Sequence, residues 1–251
     1  MRSKAQHEGG EVTQGLRAGL AVISCRPGDV MRIVYDARQV GREVAELTKW
    51  AASRGVPCEA VSAREVDRIA DSAHHDGLCV MARARRWAST QELGDVLTRS
   101  RGAAVALDRV RNPYNVGAIL RSAAFFGLEA ALVGAAAPHP GLAPMAVRVA
   151  EGGVEHLRLA RTTDLADTLA RLRSRGATVL GADARASTGG SPAVFARRPL
   201  VLVLGNEREG LGDRVRAQCD ATVAVRGSGR IESLNVAVAA GVLIGHIVGP
   251  V

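Results

Sequence analysis

The 251-residue chain is 47% hydrophobic and 23% charged, with a formal net charge of +8. That apolar content suffices for a core in one large domain or two modest ones. No run reads as a membrane span or a signal peptide, so a cytoplasmic protein is expected. The positive balance points to an anionic partner, most often nucleic acid, although a diffuse charge is an equally simple reading. Lysine occurs only at Lys4 and Lys49, so arginine carries nearly all of the positive charge. The cysteines Cys25, Cys58, Cys79 and Cys219 form no C-x-x-C pair and have no histidine at zinc spacing. They are expected as small buried residues in a reducing compartment, with no metal.

In chain order, residues 1–10 are polar and read as a loose tail, and an α/β unit is expected over 11–84. An apolar stretch at 18–23 precedes the turn Arg26-Pro27-Gly28-Asp29. Strands are predicted at 31–35, 58–61 and 78–82. A helix at 41–53 places Val44, Leu47 and Ala51 on one face. Ser62 with Glu65 three residues on is a capping-box pattern for a second helix. Residues 85–101 read as a basic, then polar and partly helical link. From residue 102 to 251 apolar runs at 103–107, 130–133, 179–182, 200–204 and 221–225 alternate with helical segments such as 163–175. That alternation predicts a parallel sheet covered on both faces. A last helix is predicted from Ser233 to about residue 248.

Three segments of this second half place polar residues and glycine where an apolar run turns, which is where α/β proteins build ligand sites. The first runs from Asn112 to Ala123. Asn115 reads as a helix cap, and Gly117 and Arg121 share a face. Arg121 among apolar neighbours calls for an anion or a carboxylate, unless it is an ordinary surface arginine. The second runs from Leu204 to Leu211. Gly205 allows a turn or close approach to a ligand, and Glu207 follows a buried strand; a solvated acidic loop is the plain alternative. In the third, Ser233 reads as the cap of the final helix. The small residues Ala237, Ala239, Ala240 and Gly241 imply that something packs closely on that helix.

Other chemistries lack their residues. Glu232 stands where the third glycine of a dinucleotide fingerprint would be, and neither lysine has Walker A context. No G-x-S-x-G elbow occurs, and the six histidines show no metal spacing.

Together the three segments resemble the motifs of the SpoU (TrmH) family of RNA ribose methyltransferases. N-x-G-x-x-x-R-[ST]-A is matched from Asn115 to Ala123, G-x-E-x-x-G-[LI] from Gly205 to Leu211, and S-L-N-V-x-V-A from Ser233 to Ala239. Residues 150–156 are similar to a further stretch of the same family. The N-terminal unit resembles the L30e-like substrate-binding domain often placed ahead of this catalytic domain. It departs at Gly15-Leu16-Arg17-Ala18, where members often have G-x-H-A, and at His75-Asp76-Gly77, where they often have H-Q-G.

The resemblance implies an α/β fold of the SPOUT type with a deep trefoil knot, a homodimer, and S-adenosylmethionine as cofactor. It implies catalytic roles for Asn115, Arg121, Glu207, Ser233 and Asn235, and cofactor contacts at Gly205, Val225 and Leu234. Arg226 departs from the proline that members often carry there. The implied reaction is methyl transfer to a ribose 2′-hydroxyl of ribosomal or transfer RNA. Arginine is effectively always protonated, so Arg121 is expected to steer a phosphate or water that accepts the proton, with Glu207 orienting Arg121 or nearby backbone. Arg83, Arg85 and Arg86 are candidate phosphate contacts, or else a solvated basic linker. The rival reading is a non-catalytic RNA-binding or ribosome-assembly protein that keeps the fold.

Overall fold

The computed structural model describes residues 10–186 and 192–249. The tail expected over 1–10 therefore lies outside the described residues up to residue 9, and Gly10 already opens a strand. Two compact units divide the chain. One holds the described residues up to Arg86 together with Val147–Glu155; the other holds Trp87–Ala146 and the described residues from His156 onward.

The first unit runs β1 (Gly10–Gln14), α1 (Leu16–Cys25), β2 (Val30–Asp36), α2 (Arg42–Ser53), β3 (Cys58–Val61), α3 (Ala63–Ala70) and β4 (Leu78–Arg83). Its sheet order is β1-β4-β2-β3, with β2 and β3 parallel and the other pairs antiparallel. The two-residue period of β4 sorts the core. Leu78, Val80 and Ala82 join Val22 of α1 and Leu47 and Ala51 of α2, while Cys79 and Met81 join Val66 and Ile69 of α3. Ser62 caps α3 as expected, accepting a hydrogen bond from the Glu65 amide at 3.3 Å. Burial pushes the Cys79 thiol up to about 12, whereas Cys25 is exposed, contrary to the expectation of four buried cysteines.

Val147–Glu155 completes this unit by burying an ion cluster. The Glu155 side chain is 3% exposed and receives Arg26 Nε at 2.8 Å and Arg85 Nη2 at 3.3 Å. Glu11 takes two further bonds from Arg85, at 3.0 and 2.9 Å. The left-handed Gly152 (φ +92°) lies so close to α1 that a Cβ would stand 2.6 Å from the Ala21 methyl. Arg85, 8% exposed, is thus a buried structural cation. This corrects both sequence readings of that residue, as a phosphate contact and as solvated linker.

The second unit runs α4 (Thr90–Ser100), β5 (Ala103–Asp108), α5 (Pro113–Phe125), β6 (Ala130–Gly134), the short α6 (Pro144–Val149) that leads into the segment just described, β7 (Arg158–Thr162), α7 (Leu165–Ser174), β8 (Thr178–Ala182), α8 (Pro192–Phe195), β9 (Leu200–Leu204), α9 (Asp213–Arg216), β10 (Ala221–Val223) and α10 (Val236–Val248). Six parallel strands stand in the order β10-β8-β9-β5-β6-β7. Ala104, Ala106, Val201 and Val203 pack with Leu93 and Leu97 of α4 and Leu169 and Leu172 of α7. The intervening Val105, Leu107, Leu202 and Leu204 are fully buried on the opposite face, where α5 packs on β5 and α10 on β9. The small residues of the last helix have their partner: α10 packs on α5, with Gly241 against Ser122. The stretch 85–101, expected as a partly helical link, carries α4. Its cap Ser89 and Glu92 close a full capping box at 3.1 and 2.8 Å.

Candidate active site

Parallel strands end together, so the loops after β5 and β9 share one edge of the sheet. They are tied to each other at the strand ends. Asp108, the buried last residue of β5, accepts the Gly212 amide at 2.8 Å and Arg109 Nε at 3.2 Å. Arg109 has left-handed backbone (φ +57°), donates to Glu209 at 2.6 Å, and its carbonyl accepts Asn206 Nδ2 at 3.0 Å. The bond to Asp108 is the largest influence raising the Arg109 pKa further above its ordinary value.

The loop after β9 is a closed turn. Asn206 and Gly210 exchange backbone hydrogen bonds at 3.0 and 2.9 Å, and Asn206 Oδ1 accepts the amides of Arg208 and Glu209 at 2.9 and 3.2 Å. A Cβ on Gly205 would fall 2.3 Å from the carbonyl carbon of Gly210. Only glycine closes this turn, so the turn itself explains Gly205. Glu207 projects from it with an exposed side chain.

Asn112, not Asn115, caps α5. Its Oδ1 accepts the Tyr114 amide at 3.0 Å, and Pro113 takes the first helical position, where its missing N–H costs nothing. Asn115 lies buried in the first turn and is freed for another task. Its Nδ2 donates to Glu207 Oε1 at 2.8 Å, and its Oδ1 accepts Asn235 Nδ2 at 3.0 Å. Asn235, not Ser233, caps α10, its Oδ1 accepting the Ala237 and Val238 amides at 2.8 and 3.4 Å. A carboxylate only accepts and an amide N–H only donates, so the chain Asn235→Asn115→Glu207 has one consistent direction. It joins all three sequence segments across 92 and 120 residues of chain.

The remaining expected residues stand around this chain rather than in it. Arg121 lies further along α5 with an exposed side chain, and Glu207 accepts from Asn115. Ser233 is exposed, Leu234 is half-exposed, and Val225 is partly buried just beyond β10. From Val225 to Leu234 no backbone–backbone hydrogen bond forms among the described residues. Arg111, Arg208, Arg226 and Arg230 occupy the same loops, exposed, and their guanidinium groups have no partner among the described residues. The stitching residues Asp108, Arg109 and Asn206 were missed from sequence. An aspartate ending a wholly apolar strand was the available signal.

A parallel α/β sheet with converging polar side chains at the carboxyl ends of its strands defines a ligand-binding α/β protein of the enzyme type. The profile described as "SpoU rRNA Methylase family" matches residues 102–245, and that described as "RNA 2′-O ribose methyltransferase substrate binding" matches residues 15–88. The chain belongs to the SpoU rRNA methylase family. It is 31% identical over 234 residues to an uncharacterized tRNA/rRNA methyltransferase, YfiF, of Escherichia coli O157:H7, covering 92% of this chain and 66% of that protein. An uncharacterized tRNA/rRNA methyltransferase of Mycolicibacterium vanbaalenii is 32% identical over 241 residues, covering 94% of this chain and 73% of that protein. The SpoU methyltransferase AviRb of Streptomyces viridochromogenes, in complex with the cofactor AdoMet, shares the fold at a TM-score of 0.77 and 23% identity, covering 99% of this chain and 92% of that one. An rRNA methyltransferase of Sinorhizobium meliloti does so at a TM-score of 0.76 and 23% identity, covering 98% and 90%.

Proposed function

We propose that the protein transfers a methyl group from S-adenosylmethionine to a ribose 2′-hydroxyl of ribosomal or transfer RNA, at the sheet edge where Asn115, Glu207 and Asn235 meet. The observation that carries this reading is the hydrogen-bonded chain through those three side chains. One connected group fixes the three loops relative to one another, as a reaction governed by proximity and orientation requires.

The cofactor suits the residues present. The main chain of 225–234 makes no backbone–backbone hydrogen bond among the described residues, its one bonded amide being that of Arg230 to Ser228 Oγ at 3.5 Å, which fits recognition of an adenosine through backbone. Gly205, Val225 and Leu234 would hold it. When bound, it supplies a methyl group on a sulfonium, displaced in line. Glu207 keeps one carboxylate oxygen on Asn115 and has the other open to accept a hydrogen bond from a bound ribose. Arg121 steers the target phosphate, whose oxygen or a held water takes the 2′-hydroxyl proton. Ser233 fixes the ribose or the loop before α10. The unpaired Arg111, Arg208, Arg226 and Arg230 supply phosphate contacts around the site, and Arg226 adds one where relatives often have proline.

The reading includes the trefoil knot and the homodimer that the family resemblance implies. Phe125 is 81% and Val238 53% exposed on the paired helices α5 and α10, an apolar surface suited to a second copy. Among the described residues no helix is long and apolar enough to cross a membrane, and a cytoplasmic setting fits an RNA substrate.

The test is transfer from labelled S-adenosylmethionine to total RNA of a strain lacking the gene. Label on a ribose with the wild type, lost with Arg121→Ala in a folded protein, is the expected result. RNA binding without cofactor binding or transfer would overturn it in favour of the non-catalytic alternative.

A further inference from the structure

We infer that a second nucleotide of the RNA, apart from the one that is methylated, is held in a groove beside β7 that is lined by Arg161, itself backed by the Trp87 ring. This rests on the reading of the sheet edge as an RNA-modifying site, and it adds a place where the strand is gripped.

The groove has a volume of about 680 Å³ and is lined by Thr90, His139, Thr163, Asp164, Arg161 and Arg171 among others. It opens at the carboxyl ends of β6 and β7, the same sheet edge as Asp108 and Gly205. Two strand spacings, roughly 10 Å, separate β7 from β5. Trp87 is fixed beside β7 because the Ala88 amide donates to the Leu159 carbonyl at 2.8 Å, adding this short stretch to the strand's free edge.

The Arg161 guanidinium carbon lies 5.4 Å from the Trp87 ring centroid, a cation–π contact that holds a long side chain in one place. His139 meets the same indole edge-on at 6.1 Å. Its Nδ1 accepts the Gly141 amide at 3.0 Å and its Nε2 donates to the Val133 carbonyl at 2.9 Å, so both ring nitrogens are committed and this wall is rigid.

The charge of the groove is decided by its pairing. Asp164 caps α7 and takes Arg214 at 2.9 Å, and Asp167 takes Arg171 at 2.9 Å. The Arg161 guanidinium has no ion pair or hydrogen bond among the described residues and is the uncompensated cation. The hydroxyls of Thr90 and Thr163 are likewise without partners among the described residues. An uncompensated guanidinium stacked on an indole, next to free hydroxyls, suits an unpaired nucleotide. The base extends the stack, the phosphate meets Arg161, and the hydroxyls meet the ribose 2′-hydroxyl that DNA lacks.

The chain has two tryptophans, so Trp50→Phe leaves Trp87 as the only indole of the full-length protein. Titrating that variant with poly(U) is expected to quench its emission, and poly(dU) to bind more weakly. Arg161→Gln is expected to raise the KM for RNA about tenfold, the effect of losing one stacked, charge-bearing contact, with kcat unchanged. Unchanged emission at saturating poly(U), quenching by inorganic phosphate alone, or an unaltered KM in Arg161→Gln would each overturn the inference. A wild type that shows no methyl transfer would defeat the proposed activity instead, and the fluorescence titration would still report on the groove.

Discussion

Arginine does opposite work in the two units. In the first, Arg26 and Arg85 are drawn into a buried cluster with Glu11 and Glu155. In the second, Arg111, Arg208, Arg226 and Arg230 stand exposed on the loops around the candidate site with no partner among the described residues. What separates a structural arginine from one available to RNA is the nearby carboxylate, which composition does not reveal. The net charge of +8 is therefore a poor map of where RNA sits, and the unpaired guanidinium groups are a better one.

The sharpest way to break this contrast is Glu155→Ala. It takes away one of the two carboxylates that hold Arg26 and Arg85, leaving Glu11 to serve both, and is expected to cost about 3 kcal/mol in denaturant unfolding; an unchanged midpoint would show that the cluster is not closed. Asn115→Ala acts at the other pole. It should leave unfolding nearly unchanged yet lower the methyl-transfer rate by about a hundredfold or more, since a preoriented hydrogen-bonding group is lost. A rate within a few-fold of wild type would remove the Asn235–Asn115–Glu207 chain from the mechanism.

Replacing Arg226 and Arg230 with glutamine should weaken RNA binding and reduce its salt slope by about one per arginine. Arg32→Gln, whose partner Glu59 holds it at 2.9 and 2.7 Å, should move the slope less. Equal shifts would erase the distinction between paired and unpaired arginines. The smallest effect concerns Asp36, whose carboxyl Arg38 holds at about 2, below the ordinary 3.8. A depressed carboxylate contributes its full stability above its unfolded pKa and loses it as pH falls through the folded one. Arg38→Gln should therefore lower stability slightly at neutral pH, with the difference from wild type fading as pH falls from about 4 to 2.

The sequence made the second unit legible where strands are wholly apolar. Leu200–Leu204 was placed to the residue, and β5, β6 and β8 to within one. It failed at edges. β7 (Arg158–Thr162) has only Leu159 and Ala160 buried, and β1 (Gly10–Gln14) buries the polar Thr13 and Gln14, so neither carries a strand's usual apolar signal. At the site, the three segments were found but their internal roles were misassigned. Pro113 at the first helical position already marked Asn112 as the cap, leaving Asn115 free to reach Glu207. That reach spans 92 residues of chain, and no local pattern encodes it. The capture of Glu155 by Arg26 and Arg85 is equally invisible for the same reason.

That capture bears on how the protein is made. Domains tend to fold as they emerge during synthesis, the N-terminal one first. Here the first unit is not a continuous stretch of chain, because Val147–Glu155 belongs to it. When Arg86 has left the ribosome, Arg26 and Arg85 still await Glu155, which is translated only after α4, β5, α5 and β6. Until Glu155 arrives, Arg26 and Arg85 have Glu11 but not the second carboxylate of the cluster, so the N-terminal unit is completed only after the first two strands of the other unit have been made.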